Sequence, residues 1–126
     1  MDKQEIIKRL RDLNLPKDEY YVLSGASLVL RGIREKCSDI DLCISEELFA
    51  DVKDRLKMTP DKINSCNFYH LSDFLEIVVD KKSRFNMEKD YEFNLEDINT
   101  ILAFKESRNP PKDQQDIVNI KKYLNK

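Results

Sequence analysis

The sequence predicts an α/β domain, a small mixed β-sheet packed by helices, on three observations. Segments whose apolar residues recur every three or four positions are interspersed with short runs in which apolar and polar residues alternate at period two. Glycine and proline are scarce, two and four in 126 residues, while 37% of residues are charged. That composition belongs to well-formed elements with short loops and not to disorder. The length suits one hydrophobic core, so residues 1–126 are expected to form a single domain.

Taken in order, Asp2 to Leu13 reads as an amphipathic helix with Ile6, Leu10 and Leu13 as its stripe, ended at Asn14-Leu15-Pro16. Tyr20 to Leu23 is a short apolar strand running into Ser24-Gly25. Ala26 to Leu30 then forms a short helix closed by Gly32. A polar loop from Ile33 to Ser38 leads to a strand over Asp39–Ile44. Ser45 caps the next helix, through about Lys57, with Glu46 and Glu47 in its first turn and Leu48, Val52 and Leu56 inward. Thr59-Pro60-Asp61 interrupts the chain. Ile63 to Leu71 holds one or two short strands, Leu71-Ser72-Asp73 turns, and Phe74 to Val79 is a strong strand. Lys81 to Asp90 reads as a loop and Tyr91-Glu92-Phe93 as a short edge strand. Asn94 is expected to cap a helix through about Ser107, with Asp97 at the capping-box position and Ile98, Ile101 and Leu102 inward. After Asn109-Pro110-Pro111 a last helix spans Lys112 to about Leu124, with Ile117, Ile120 and Leu124 as its stripe.

A net charge of −2 and a pI near 5.5 argue against a broad basic face that grips duplex nucleic acid, though not against a local nucleotide site. Three cysteines, Cys37, Cys43 and Cys66, fit no zinc spacing. With no secretory leader read ahead of them, reduced thiols and a cytoplasmic protein are expected. No apolar run approaches membrane-spanning length, so no membrane partner is expected.

The chemistry concentrates in Ser38-Asp39-Ile40-Asp41-Leu42-Cys43-Ile44. At strand period Asp39 and Asp41 share a face, about 6.6 Å apart along the strand, while Ile40, Leu42 and Ile44 face a core. Two like charges side by side repel unless one neutralises or a cation intervenes. Glu76 interrupts the otherwise apolar strand Phe74–Val79. It is either a solvent-facing residue or, if that strand neighbours Asp39–Ile44, the third member of a carboxylate cluster. Three hard oxygen ligands suit Mg²⁺ or Mn²⁺. Ahead of them, the strand-to-helix turn Ser24-Gly25-Ala26-Ser27 offers close backbone approach, helix N–H groups and the Ser27 hydroxyl to a phosphate.

These residues resemble the nucleotidyltransferase superfamily, whose fold is that of DNA polymerase beta. Its motif is a Gly-Gly or Gly-Ser turn opening a helix, a strand with Asp-hydrophobic-Asp, and a third acid on a later strand. Ser24-Gly25-Ala26-Ser27, Asp39-Ile40-Asp41-Leu42 and Leu75-Glu76-Ile77 match it in order. Ser24 stands where the first glycine is usual, Cys37 where many relatives carry threonine, and Glu76 where aspartate is commoner. The segment Lys105 to Ile117 resembles a further pattern of small bacterial members, including abortive-infection toxins. The resemblance implies a nucleotidyltransferase fold and transfer of a nucleoside monophosphate from a triphosphate (ATP among the candidates) to an acceptor hydroxyl. Asp39, Asp41 and Glu76 would be the catalytic, metal-binding acids, and Ser24, Gly25, Ser27, Lys105 and Arg108 the nucleotide-binding residues. It also implies tRNA, a partner protein or a small molecule as acceptor, a toxin–antitoxin or defence setting, and a partner or second copy completing a short chain. A non-catalytic nucleotide-sensing or antitoxin-like module of the same fold is the alternative.

Lys105 falls on the inward stripe of its helix, which leaves it snorkelling to water or reaching a site. Asp113 and Asp116 are expected to pair with Arg108 or Lys105 and fix the last two helices. His70, the single histidine, reads as packed or at the surface, and Arg31, Arg34 and Lys36 as solvated charges by default, with a phosphate contact from one of them as the alternative. Cys43 shares the acidic face.

Overall fold

A computed structural model describes residues 1–80, 87–88, 91–108 and 111–125. The described residues form five helices and a six-stranded mixed sheet. The helices are α1 (Lys3–Leu13), α2 (Ser24–Leu30), α3 (Glu46–Val52), α4 (Ile98–Arg108) and α5 (Gln114–Leu124). The strands are β1 (Tyr20–Val22), β2 (Ile40–Ser45), β3 (Tyr69–Ser72), β4 (Leu75–Asp80), β5 (Met87–Glu88) and β6 (Leu95–Glu96), in the spatial order β3-β4-β2-β1-β6-β5. No helix among the described residues is long and apolar enough to cross a membrane.

Local chemistry sets the boundaries. Asp2 caps α1 by accepting from the Glu5 N–H at 2.9 Å, and Asn14 ends the helix in the left-handed region. α2 closes in a Schellman pattern: the Ile33 N–H reaches the Leu28 carbonyl and the Gly32 N–H the Val29 carbonyl, both at 3.0 Å. Gly32 takes the φ of +80° that this closure favours. Ser45 caps α3 through its hydroxyl, which accepts from the Leu48 N–H at 3.0 Å and also donates to Glu19.

The period-two reading of the acidic strand holds. Ile40, Leu42 and Ile44 are each fully buried, in one cluster with Ile6 and Leu10 of α1, Val29 of α2 and Leu48 of α3. A smaller cluster joins Leu28 of α2 to Ile98 and Ile101 of α4 and Ile120 of α5, so α2 is shared between both cores.

Several boundaries differ from expectation. α3 stops at Val52 and gives way to turns through Lys57, whose φ of +55° ends any helical path. Tyr91 to Phe93 is not an edge strand. The pairing falls two residues later, at Leu95–Glu96, and β6 lies inside the sheet between β1 and β5. Met87–Glu88 is a strand where a loop was expected, and the rest of the Lys81–Asp90 loop lies outside the described residues. Asp97, not Asn94, caps α4, accepting from the Thr100 N–H at 2.9 Å. Asn94 is instead fully buried, its amide donating to the Lys17 carbonyl at 2.7 Å. Asn109 and Pro110 lie outside the described residues, and α5 begins at Gln114 after a 3₁₀ turn. Leu124, expected inward on α5, is exposed.

Candidate active site

The site is built on the parallel pair β2 and β4. Their register sets Asp41 opposite Glu76, and in-register neighbours project to the same face of a sheet. The two carboxylates therefore stand on adjacent strands, with backbones about 4.8 Å apart. Asp39 precedes β2 and, together with Glu76, raises the Asp41 acid electrostatically. The largest cause of that rise is burial, and the combination brings the Asp41 carboxyl up to about 6. Its Oδ1 is buried and has no hydrogen-bond partner among the described residues. A buried, unpartnered carboxylate oxygen flanked by two further acids is an arrangement that a cation relieves. These residues fit a divalent ion in chemistry. As the side chains stand, however, no group of three His, Cys, Asp or Glu among the described residues is gathered to metal-holding geometry.

The turn into α2 lies beside the acids because β1 pairs antiparallel with β2. Val22 is the register partner of Leu42, and the Leu23 N–H donates to the Asp41 carbonyl at 2.8 Å. Ser24 opens α2 with φ of +35°, and its N–H donates to Glu96 Oε1 at 2.9 Å. Glu96 lies on β6, and burial raises its acid against the opposing pull of the Ser24 N–H and Arg31. Gly25 has no side chain to obstruct Arg34: a Cβ there would lie 3.2 Å from Arg34 Nη1. The Ser27 hydroxyl, expected to face phosphate, is fully buried and donates to the Ser24 carbonyl at 2.5 Å.

The C-terminal cations are arranged differently from expectation. Lys105 neither snorkels nor reaches the acids. It is 3% exposed, with Nζ 3.1 Å from Asp113 Oδ1 and 3.2 Å from Asp116 Oδ2. Arg108 forks onto Asp113 Oδ2 through Nε at 3.1 Å and Nη2 at 2.8 Å. Asp113 is held below the usual carboxylate range by these two cations, against the desolvation that would raise it. The expected tie between α4 and the start of α5 is therefore present, as a buried cluster. Asp116 extends it to Arg34 at 3.5 Å, which joins the cluster to the Gly25 turn.

Arg31 is not a solvated charge. Its side chain is fully buried, bonded through Nη2 to Glu88 Oε2 at 2.8 Å and to the Glu96 carbonyl at 2.5 Å. Cys43 lies on the acid-bearing face, but burial raises its thiol to about 11 and it bonds with Tyr21. His70 is the register partner of Glu76 on β3, with Nδ1 3.2 Å from Glu76 Oε1. On the other oxygen, Asn64 Nδ2 donates to Glu76 Oε2 at 3.1 Å. Sequence reasoning missed Asn64 and Glu96. A turn signal at Asn64-Ser65-Cys66-Asn67 was available, but its contact with Glu76 depends on how β3 folds back on β4.

No protein-family model matches the chain, and no curated protein or solved structure matches it either.

Proposed function

We propose that this chain is a metal-dependent nucleotidyltransferase with a nucleotidyltransferase-type fold, moving a nucleoside monophosphate from a nucleoside triphosphate to an acceptor hydroxyl and releasing pyrophosphate. One observation carries the reading. Asp41 and Glu76 are register partners on the parallel strands β2 and β4, Asp39 stands close by, and Asp41 Oδ1 is buried without a donor among the described residues. Asp39, Asp41 and Glu76 would hold Mg²⁺ or Mn²⁺. When bound, such an ion supplies charge to the phosphoryl oxygens and acidifies the acceptor hydroxyl. The chain's own residues orient the partners. The Ser24–Gly25 turn, which follows Leu23 beside Asp41, would receive the phosphates, and Glu76 would accept the proton of the acceptor hydroxyl. The acceptor oxygen then bonds to the α-phosphorus as the bond to the bridging oxygen breaks, and pyrophosphate leaves. RNA, tRNA, a partner protein or a small hydroxyl compound would serve as acceptor.

Incubation with Mg²⁺ or Mn²⁺, each labelled triphosphate and candidate acceptors tests this directly. Label transfer that Asp41→Ala abolishes is the expected result, and a wild-type chain that neither binds nor turns over any triphosphate sinks it. A second reading, a non-catalytic nucleotide-sensing or antitoxin-like protein-binding module, draws on two observations. The Glu96 carboxylate already occupies the Ser24 N–H, and Lys105 is sequestered by Asp113 and Asp116. Calorimetry separates the two readings, because a sensing module takes up nucleotide without divalent ion and without turnover.

A further inference from the structure

Glu76 is held at both carboxylate oxygens by groups that are not acids. Asn64 Nδ2 donates to Oε2 at 3.1 Å, and His70 Nδ1 meets Oε1 at 3.2 Å. Asn64 is fixed in turn. Its Oδ1 accepts the backbone N–H of Cys66 at 2.9 Å and of Phe68 at 3.1 Å, while its own N–H donates to the Phe68 carbonyl at 2.8 Å. Two N–H donors on one end of a planar amide decide which end is oxygen. The amino group is therefore left facing Glu76.

Only the oxygen is needed to close that turn. Aspartate or serine closes an equivalent turn by accepting the N–H two residues on. What asparagine adds is the donor that reaches across to β4. A glutamate on a strand face beside Asp41 and Asp39 is repelled by both and has three rotatable bonds by which to swing away. The Asn64 amino group, and His70 in the tautomer that carries its proton on Nδ1, donate to its carboxylate and oppose that swing. They leave each oxygen a second lone pair for a cation.

We propose that Asn64, seconded by His70, is a positioning residue that fixes the Glu76 carboxylate beside Asp41 for a divalent cation. The inference rests on the cation-binding reading of the site and adds to it the residues that orient one ligand. Outer groups of this kind typically change metal affinity by about ten- to a hundredfold when removed.

The probe is Mn²⁺ alone, titrated calorimetrically into the full chain. Asn64→Ser retains a hydroxyl that closes the turn but cannot reach Glu76. It is expected to weaken Mn²⁺ binding about tenfold while the melting temperature stays within a few degrees of wild type. His70→Ala, at a half-exposed position, is expected to shift affinity in the same direction and guards against a folding defect at residue 64. In a Glu76→Gln background, Asn64→Ser should add no further loss. Wild-type affinity in Asn64→Ser, or the same added loss without Glu76, overturns the proposal. Ion-free protein gives an independent readout: the Asn64 side-chain NH₂ resonance should move in Glu76→Ala, and an unmoved resonance also overturns it. A wild-type chain that takes up no Mn²⁺ while that resonance moves overturns the cation reading and the positioning role together, and leaves a fold contact.

Discussion

Replacing Asp41 by asparagine should make the protein more stable, and only above mildly acidic pH. Burial, Asp39 and Glu76 raise the Asp41 carboxyl from 3.8 to about 6, so the folded chain holds a proton there that the unfolded chain has released. Between about pH 4 and pH 6 the folded state binds more protons. Stability therefore falls as pH rises through that window and stays reduced above it. A shift of about 2 units corresponds to about 3 kcal/mol at 1.36 kcal/mol per unit. Asp41 is only half-buried, so solvent screening lowers the figure to about 1–2 kcal/mol.

Asp41→Asn removes that repulsion without changing shape. At pH 8 the variant should gain about 1–2 kcal/mol, which is roughly 4–8 °C in melting temperature for a domain of this size. At pH 4 or below, wild type and variant should melt together. Paired melts at pH 4 and pH 8, in chelator, read both limits. A variant less stable than wild type at pH 8, or a difference that does not change with pH, refutes the electrostatic account of the site. Adding Mn²⁺ at pH 8 extends the experiment. Binding to the folded state at a hundred times Kd adds about 2.7 kcal/mol, which should raise the wild-type melting temperature and leave Asp41→Asn unmoved.

Three further outcomes are expected. Lys105→Met should destabilise the fold by about 3 kcal/mol, read by urea denaturation, because Asp113 and Asp116 lose a buried partner; a loss below about 1 kcal/mol contradicts the buried ion cluster. Cys66 is exposed while Cys37 and Cys43 are buried with raised thiols, so a maleimide at neutral pH should label one site rapidly and the other two only after denaturation; rapid labelling at Cys43 contradicts the packing around Tyr21. Gly25→Ala puts a methyl 3.2 Å from Arg34 Nη1, the far end of a flexible side chain, so melting should shift by no more than about 2 °C; a large loss would mean that Arg34 cannot move aside.

What the sequence made legible, and what it did not, follows from the range of the interactions involved. The acidic strand was readable because period two assigns each residue a face from its neighbours alone, and Ile40, Leu42 and Ile44 are buried as that rule requires. The cap at Ser45 and the closure at Gly32 were readable for the same reason, since each bond spans five residues or fewer. That Glu76 joins Asp41 needed one fact beyond local pattern, the β2–β4 pairing, and an acid within an apolar strand was enough to suggest it. The errors lie where partners are distant in sequence. Arg31 reads as solvated because its partners are 57 and 65 residues away, whereas the pairing of Lys105 with Asp113 and Asp116, close by in sequence, was legible. Asn64 and Glu96 carry no local signal of their roles. Asn64 meets Glu76 only once β3 pairs with β4, and Glu96 meets Ser24 only once β6 is placed beside β1. The division has a chemical consequence for the site. Its charges are written into short strand patterns, whereas the groups that hold Glu76 in place, Asn64 in a turn and His70 on the neighbouring strand β3, are set by how β3 folds back on β4. Exchange of an acid should therefore act on chemistry and pH dependence, while exchange of Asn64 should act on the precision with which Glu76 is presented.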